Sequence, residues 1–348
     1  MNLRKARQLN AVSQNEFAAL IAVVRPILTG ILNSLKADVV AQWGRDNVPL
    51  KMLARIRRPG DGDYGICFEY AVHDALNRGD GPVVDRVAEA LRLCRIQPAG
   101  MPTSVLFGAE KNGGVQLIAN ARATLTDNSR LLKEGGGAPI KLGKYLETAH
   151  QAFTSIEARD ALPTSIKGLW KADLFLGCTT ADRWVAASVK INAAQLEAAQ
   201  GIRIGIVPAS NRHGDLVRAE RGLVVCPIPH DYSFMQKFYE AWRIVSAFLH
   251  ADASVPSPVA LPRPVESEVA RVLAERRDFT VREVIDALAA FAQPELMVAE
   301  DTPILTTAVE HPRLWQRLFR VARPAPLTSM PIFPEARTVL APVPLVLN

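Results

Sequence analysis

Residues Lys171–Asn192 read KADLFLGCTTADRWVAASVKIN, and this stretch decides the predicted fold. Two short apolar runs, Ala172–Gly177 and Trp184–Ile191, flank a polar turn. Runs of this length on both sides of a turn predict a β-hairpin. In that hairpin Asp173 opens the first strand and Lys190 lies near the end of the second. The two side chains are therefore expected to meet at one edge of a sheet.

The second strand has two different faces. Side chains two residues apart on a strand project to the same side, so Ser188 and Lys190 share one face. The alternate positions form an apolar face: Val185, Ala187, Val189 and Ile191. A surface salt bridge between Lys190 and Asp173 is the simplest explanation of this pair. Helices on both sides of the sheet would instead make Lys190 internal, and we favour that interpretation.

The segments around the hairpin predict an α/β core. Tyr64–Arg78 and Leu142–Ile156 have helical periodicity, and Ala193–Gln200 is a further helix directly after the hairpin. Ile202–Pro208 and Gly222–Ile228 are apolar runs of strand length. Strands interleaved with helices in this way favour a sheet with helices packed against it.

The sequence places Asp173 on one strand and Ser188-x-Lys190 on the next. This arrangement resembles the PD-(D/E)xK nuclease superfamily, whose members have an aspartate on one strand and an acid-x-lysine on the next. The resemblance implies a restriction-endonuclease-like fold, which is a mixed sheet flanked by helices. It implies that Asp173 binds a divalent cation, Mg²⁺ or Mn²⁺, and that Lys190 stabilises or activates the attacking water. The carbonyl of Val189 would complete the metal shell.

Two positions depart from the family pattern. Ala172 stands where proline is frequent, which is a common variation. Ser188 stands where the second acid is expected, and a neutral hydroxyl cannot supply the charge that holds a hard divalent cation. A helical glutamate would have to compensate. We favour Glu69, because GICFEYAV (residues 65–72) is similar to the G-x-x-F-E-x-x-V helix of many such nucleases, and Glu147 in GKYLE is the alternative.

The chemistry explains why these residue types would be gathered. Phosphodiester hydrolysis requires an oriented water, a cation on the developing charge and help for the leaving oxygen. Carboxylates hold the cation, and a lysine supplies positive charge or handles a proton. The predicted catalytic set is Asp173, Lys190, Glu69 and Ser188, and the predicted metal set is Asp173, Glu69 and Val189. Gln195 is a candidate for touching the nucleotide or orienting water, with a plain surface position as the alternative.

The positive charge is concentrated near the N-terminus. The chain of 348 residues has a formal charge of +6, yet residues 1–58 hold ten Lys/Arg against three acids, and the rest holds 31 against 32. The cluster Arg55, Arg57 and Arg58 predicts contacts with a phosphate backbone, with a solvated surface as the alternative. DNA is the expected partner, and RNA stays open.

Cysteine usage and the N-terminus indicate the compartment. Four scattered cysteines without a CxxC pair exclude zinc-ribbon spacing and favour reduced thiols in the cytosol. Met1–Gln8 is basic, but no uninterrupted apolar region with a cleavage site follows it. Phe17–Leu32 is apolar but interrupted by Arg25-Pro26, which argues against a membrane span. We expect a cytoplasmic protein without a membrane partner.

Composition divides the chain into five segments. These are a basic helical region (1–60), a nuclease-like α/β core with an insertion (61–254), a proline-rich linker (255–265), a helical C-terminal module (266–323) and a proline-rich tail (324–348). The C-terminal region is the candidate surface for a homodimer or a partner protein.

The combined interpretation is a cytoplasmic, divalent-metal-dependent endodeoxyribonuclease, acting in restriction or in defence against mobile elements. The setting follows from the family resemblance alone. The alternative is a catalytically inactive protein that keeps the nuclease fold and binds nucleic acid or a protein partner. Ser188 is the residue that favours this alternative.

Overall fold

The protein is described by a computed structural model. It covers residues 3–57, 63–97, 100–107, 120–121, 123–133, 138–152, 157, 168–178, 180–196, 198, 201–210, 214–230 and 234–292. Within these ranges, Phe17–Pro294 forms one compact unit. Met1–Glu16 groups with Glu295–Asn348 in a second unit, and of that unit only the helical residues 3–16 are described.

The described helices are α1 (Leu3–Ser34), α2 (Ala37–Trp43), α3 (Leu50–Ile56), α4 (Asp63–Arg78), α5 (Gly81–Leu93), α6 (Leu142–Ala152), α7 (Phe234–His250), α8 (Pro264–Glu275) and α9 (Val281–Leu288). Short 3₁₀ turns occupy Arg45–Asn47, Gly168–Lys171 and Ala193–Gln195.

Helix α1 is a core helix from residue 18 onward. Almost every residue from Ala18 to Leu32 is buried, as expected for a helix that is apolar on all sides. Gln14–Ser34 is long and apolar enough to cross a membrane, with a mean hydropathy of 1.7, but 72% of that window is buried inside the fold. α1 crosses α4 closely, since a Cβ added at Gly30 would lie 3.0 Å from the Cα of Cys67.

The strands form one mixed sheet. They are β1 (Thr103–Leu106), β2 (Arg130–Leu131), β3 (Ile140–Lys141), β4 (Leu174–Cys178), β5 (Arg183–Val189), β6 (Ile202–Pro208), β7 (Arg218–Glu220) and β8 (Leu223–Ile228). The main order is β1-β4-β5-β6-β8-β7, and the short pair β2/β3 joins beside the start of β5. Strands β5, β6 and β8 run parallel, whereas β4 is antiparallel to both β1 and β5.

Helices pack on both faces of this sheet. On one face, Leu142, Tyr145 and Leu146 of α6 join a core cluster with Phe175 of β4 and Ala186 of β5. On the other face, α4 contacts β1 through the His73–Ser104 hydrogen bond. Because neighbouring strand residues alternate between faces, Ser104 points away from the α6 cluster, which contains Val105. The expectation of a mixed sheet flanked by helices is confirmed.

Helix α7 extends the layer on the α4 side. The ring of Phe68 in α4 lies 5.2 Å from that of Phe238 and 6.4 Å from that of Phe234. Helix α9 starts at a capping box, in which Thr280 and Glu283 exchange backbone and side-chain hydrogen bonds. Helices α4, α7 and α9 belong to the same compact unit as the sheet.

The predicted hairpin is confirmed as β4 and β5. Its turn is fastened by Asp182, whose carboxylate accepts hydrogen bonds from Ser129 at 2.5 Å, from Trp184 Nε1 at 3.2 Å and from Thr126. Although burial by itself raises the pKa of Asp182, these hydrogen bonds hold that pKa below its usual range. The carboxylate ties the residues before β2 to the tip of the hairpin.

The prediction of a helix over Ala193–Gln200 is wrong. Among the described residues of this span, 193–196 and 198, the only helical turn is the 3₁₀ turn Ala193–Gln195, and Asn192 caps it by accepting the Ala194 N–H at 3.0 Å. Leu196 is extended, and its side chain packs where Gly205 of β6 has no Cβ. That contact directs the chain back onto the sheet and ends the helical turn.

Candidate functional site

Asp173 is fixed between two strands at the start of β4. Its N–H donates to the carbonyl of Ala187 on β5 at 2.9 Å, and its own carbonyl accepts from the N–H of Phe107 after β1 at 2.9 Å. The residue is buried. The backbone on both sides therefore determines where the carboxylate lies.

One oxygen of Asp173 receives three donors. Oδ2 accepts from the N–H of Val189 at 2.8 Å, from Nζ of Lys190 at 3.1 Å and from Oγ of Ser188 at 3.2 Å. We call these four residues the carboxyl-edge cluster. The fold thus brings Ser188 and Lys190 to the same atom of Asp173, on the strand face that their spacing predicts.

The carboxyl-edge cluster is buried on one side and open on the other. Ser188 is buried, whereas the side chain of Lys190 is 31% exposed. A buried carboxylate is stabilised by donors of this kind, and the exposed ammonium is left able to contact an anion. Chemically, the cluster presents a positive charge at the surface above a fixed negative charge.

The cluster lies where ligands commonly bind in α/β sheets. Lys190 follows β5 directly, and its N–H donates to the carbonyl of Ile206 on β6 at 2.9 Å. β5 has an antiparallel neighbour, β4, and a parallel neighbour, β6. Crevices outside the carboxyl ends of strands, at points where the strand arrangement changes, are typical binding sites.

Glu69 lies on α4, which packs on the face of the sheet opposite the α6 cluster. Glu69, His73 and Asn77 are four residues apart, so they lie on the same face of α4. His73 and Asn77 contact β1. Asn77 bonds with Thr103 and Ser104 at the start of β1, so the earlier turn with Glu69 lies toward the end of β1. That end precedes Phe107, the residue bonded to Asp173. Glu69 is buried.

Glu147, the alternative carboxylate, lies in a different environment. It is an exposed residue of α6, on the opposite face of the sheet from α4. Its neighbours Tyr145 and Leu146 are buried in the core cluster, so the helix turns Glu147 outward. Of the two candidate glutamates, Glu69 is therefore buried and Glu147 is exposed.

The described residues offer few metal ligands. No group of three or more His, Cys, Asp or Glu side chains comes together among them. Mg²⁺ is commonly held by only one or two protein carboxylates plus water and substrate phosphates. Asp173 and Glu69 are two buried carboxylates on different elements, and the carbonyl of Val189 is the third predicted ligand.

The predicted phosphate-binding arginines are placed differently from one another. Arg57 is 9% exposed, bonds to Asp63 at 2.7 Å and lies over the ring of Trp242, so its guanidinium serves packing. Arg55 is exposed and paired with Asp252 at 3.2 Å. Arg58 lies outside the described residues. Gln195 is exposed in the turn after β5.

His73 was not identified from the sequence. Burial lowers its pKa to about 4, with the nearby Asp74 opposing the shift, and Nδ1 lies 2.8 Å from Oγ of Ser104. The imidazole is therefore neutral at pH 7. The polar positions Glu69, His73 and Asn77, spaced four apart on a largely buried helix, were the sequence signal for this face.

A second group of charges, centred on buried carboxylates, was also missed, and we call it the helix-pair cluster. It joins α7 to α8 and the residue before α8, and its members are Lys237, Glu240, Arg243, Arg263 and Glu266. Arg263 lies 2.9 Å from a carboxylate oxygen of Glu240 and 2.9 Å from one of Glu266. Arg243 also pairs with Glu266, which is 0% exposed.

Comparison with known proteins adds no assignment. No protein-family model, no curated protein and no solved structure matches the chain. The residues and geometry of the chain itself are therefore what supports any functional proposal.

Proposed function

We propose that the protein is a divalent-metal-dependent nuclease that hydrolyses phosphodiester bonds in DNA, with RNA as an open alternative. The observation that carries this proposal is the meeting of Asp173 and Lys190 at the carboxyl edge of β5, with Nζ of the lysine 3.1 Å from Oδ2. The resemblance to PD-(D/E)xK nucleases supplies the reaction class. A cytoplasmic role in restriction or defence belongs to the same proposal.

Each residue has a defined role in this proposal. Asp173 and Glu69, with the Val189 carbonyl, would hold Mg²⁺ or Mn²⁺, which supplies positive charge to the developing phosphorane. The exposed ammonium of Lys190 binds the scissile phosphate and stabilises its added negative charge. Ser188 donates to Oδ2 of Asp173 and keeps the carboxylate oriented.

The test is cleavage of supercoiled plasmid in Mg²⁺ by purified wild-type and variant proteins. Asp173→Asn and Lys190→Ala should each reduce the rate by roughly 100-fold or more. Lys171→Ala is the matched control, because Lys171 is an exposed lysine two residues before Asp173. Its rate should equal that of the wild type. Unchanged cleavage by both site variants would refute the assignment.

A second candidate is a catalytically inactive protein that keeps this fold and binds nucleic acid or a partner protein. One observation favours it: Oδ2 of Asp173 is already contacted by three donors, one of them from Ser188, where the family has an acid. In that case the lysine, in place of a metal ion, balances the carboxylate. A homodimer or partner surface in the C-terminal region remains part of this candidate.

Introducing an acid at position 188 discriminates between the two candidates. For the inactive protein, Ser188→Glu should gain Mg²⁺-dependent cleavage that the wild type lacks. Ser188→Asp provides a second, smaller variant, since position 188 is buried and tolerates little extra volume. Cleavage by the wild type would eliminate the inactive candidate.

A further inference from the structure

His230 lies at the same edge of the sheet as Lys190. Strands β5, β6 and β8 are parallel, so their carboxyl ends lie side by side. The registers of β5 with β6 and of β6 with β8 place Lys190 level with Pro227. Pro227 is three residues before His230. His230 is therefore two strands away across the sheet and three residues farther along the strand direction. At the usual spacings, the α-carbons of Lys190 and His230 are roughly 14 Å apart.

The imidazole of His230 is held in place by one aromatic contact. Its ring stacks on that of Tyr239 in α7, with centroids 5.6 Å apart and planes 3° from parallel. Tyr239 in turn contacts the buried ring of Phe238 edge-on at 5.9 Å, which fixes it to the core. Within the described part of the chain, neither nitrogen of His230 makes a hydrogen bond, and the residue is exposed.

We propose that the His230–Tyr239 stack is a base-binding platform for a nucleotide a few positions from the phosphate that contacts Lys190. The proposal rests on the proposed nucleic-acid function and adds a second contact to it. Tyr239 covers one face of the imidazole, and a base stacks on the other. The free ring nitrogens are available to the edge of that base.

Spacing and chemistry both favour a nucleic-acid strand. A strand carries aromatic bases and phosphates at regular intervals, and proteins bind it by combining stacking rings with cations. The separation of roughly 14 Å is within the span of a few nucleotides of a single strand. An apolar peptide would use neither the ammonium of Lys190 nor the open nitrogens of His230.

The experiment measures binding in EDTA, where metal-dependent cleavage does not contribute. The probe is a fluorescein-labelled single-stranded DNA of about 16 nucleotides, followed by fluorescence anisotropy with the full chain. His230→Ala should raise the Kd about tenfold, because it removes one stacking surface. His230→Phe should restore the Kd to within about twofold of the wild type, because it keeps an aromatic face.

His250→Ala is the control. His250 is an exposed histidine at the end of α7, and its Nδ1 bonds to the carbonyl of Ser246 at 2.7 Å. Removing it should leave the Kd unchanged. Thermal unfolding of each variant verifies that the folded state is kept.

The outcomes separate this inference from the nuclease assignment. If His230→Ala binds as tightly as the wild type while plasmid cleavage still depends on Asp173, the platform is refuted and the nuclease stands. If His230→Ala weakens binding but the wild type never cleaves, the platform stands and the nuclease is refuted. A wild type that neither binds the probe nor cleaves refutes both.

Discussion

The carboxyl-edge cluster and the helix-pair cluster both bury carboxylates beside cations, but they are built on different elements. In the first, two strands converge on one oxygen of Asp173, and Lys190 is left partly exposed beyond the end of β5. In the second, side chains of α7 and α8 pair along their contact, and Glu266 is fully enclosed.

This difference teaches that buried charge alone does not mark a functional site. The helix-pair cluster has more ion pairs, yet its partners point at one another between two helices, as in a structural contact. The carboxyl-edge cluster instead has a single, partly exposed lysine directly after a strand, at the carboxyl edge of the sheet. The proposed site is therefore chosen by the position of its charges at a sheet edge and not by the number of their partners.

The largest expected effect on stability is in the helix-pair cluster. Glu266→Ala should lower the free energy of unfolding by about 3 kcal/mol, because Arg243 and Arg263 lose their shared, enclosed carboxylate. Urea unfolding followed by circular dichroism measures this loss. Plasmid or oligonucleotide activity per folded molecule should not change, since the cluster serves packing.

Glu268→Ala is the matched control for that change. Glu268 lies on the same helix, is paired with Arg271 and is half exposed. Its loss should change the free energy of unfolding by no more than about 0.5 kcal/mol. Equal losses for the two glutamates would contradict the view that enclosure determines the importance of Glu266.

A smaller effect on stability is expected in the carboxyl-edge cluster. Asp173→Ala should cost about 2 kcal/mol, because the buried N–H of Val189 and hydroxyl of Ser188 lose their acceptor. Asp173→Asn keeps an acceptor oxygen and should cost about half as much. The same urea titration compares them, and equal costs would show that the three donors do not stabilise the fold.

The dependence of stability on pH also separates the two regions. The pKa of His73 is lowered from 6.5 to about 4 in the folded state, so the unfolded chain binds a proton first as pH falls. Stability should therefore decrease between these values, by up to about 1.4 kcal/mol per pH unit. His73→Asn, which keeps a hydrogen-bonding group near Ser104, should flatten this dependence.

Unfolding curves recorded from pH 7 to pH 4 test this expectation. His250→Asn, at an exposed histidine, should leave the slope as in the wild type. The helix-pair cluster contains no histidine, so the slope should also persist in Glu266→Ala. If the free energy of unfolding of the wild type did not decrease as the pH is lowered from 6.5 to 4, the role given to His73 would be contradicted.

Some strands, and the face on which two of the site residues lie, could be predicted from local sequence patterns. The hairpin and the strand Ile202–Pro208 follow from short apolar runs bounded by turns, whereas the mixed sheet was implied only by the family resemblance. The two-residue period placed Ser188 and Lys190 on one face, which needs no knowledge of the rest of the chain.

Other features depend on contacts distant in sequence and could not be predicted. The turn at Ala193–Gln195 ends early because Leu196 packs over Gly205. Arg57 is buried because Asp63 and Trp242 surround it, whereas its sequence neighbours indicate a basic surface. One partner of Glu266, Arg243, lies on α7, on the other side of the proline-rich linker.

The contact between residues near 49 and residues near 280 has a consequence for biosynthesis. The N–H of Leu50 donates to Phe279, the N–H of Val281 donates to Val48, and Arg25 of α1 reaches the carbonyl of Ile285. At about 5–20 residues per second, roughly 10–50 s of translation separate these partners on the ribosome. During that time apolar α1 is without its C-terminal neighbours, so the nascent chain should be a chaperone client.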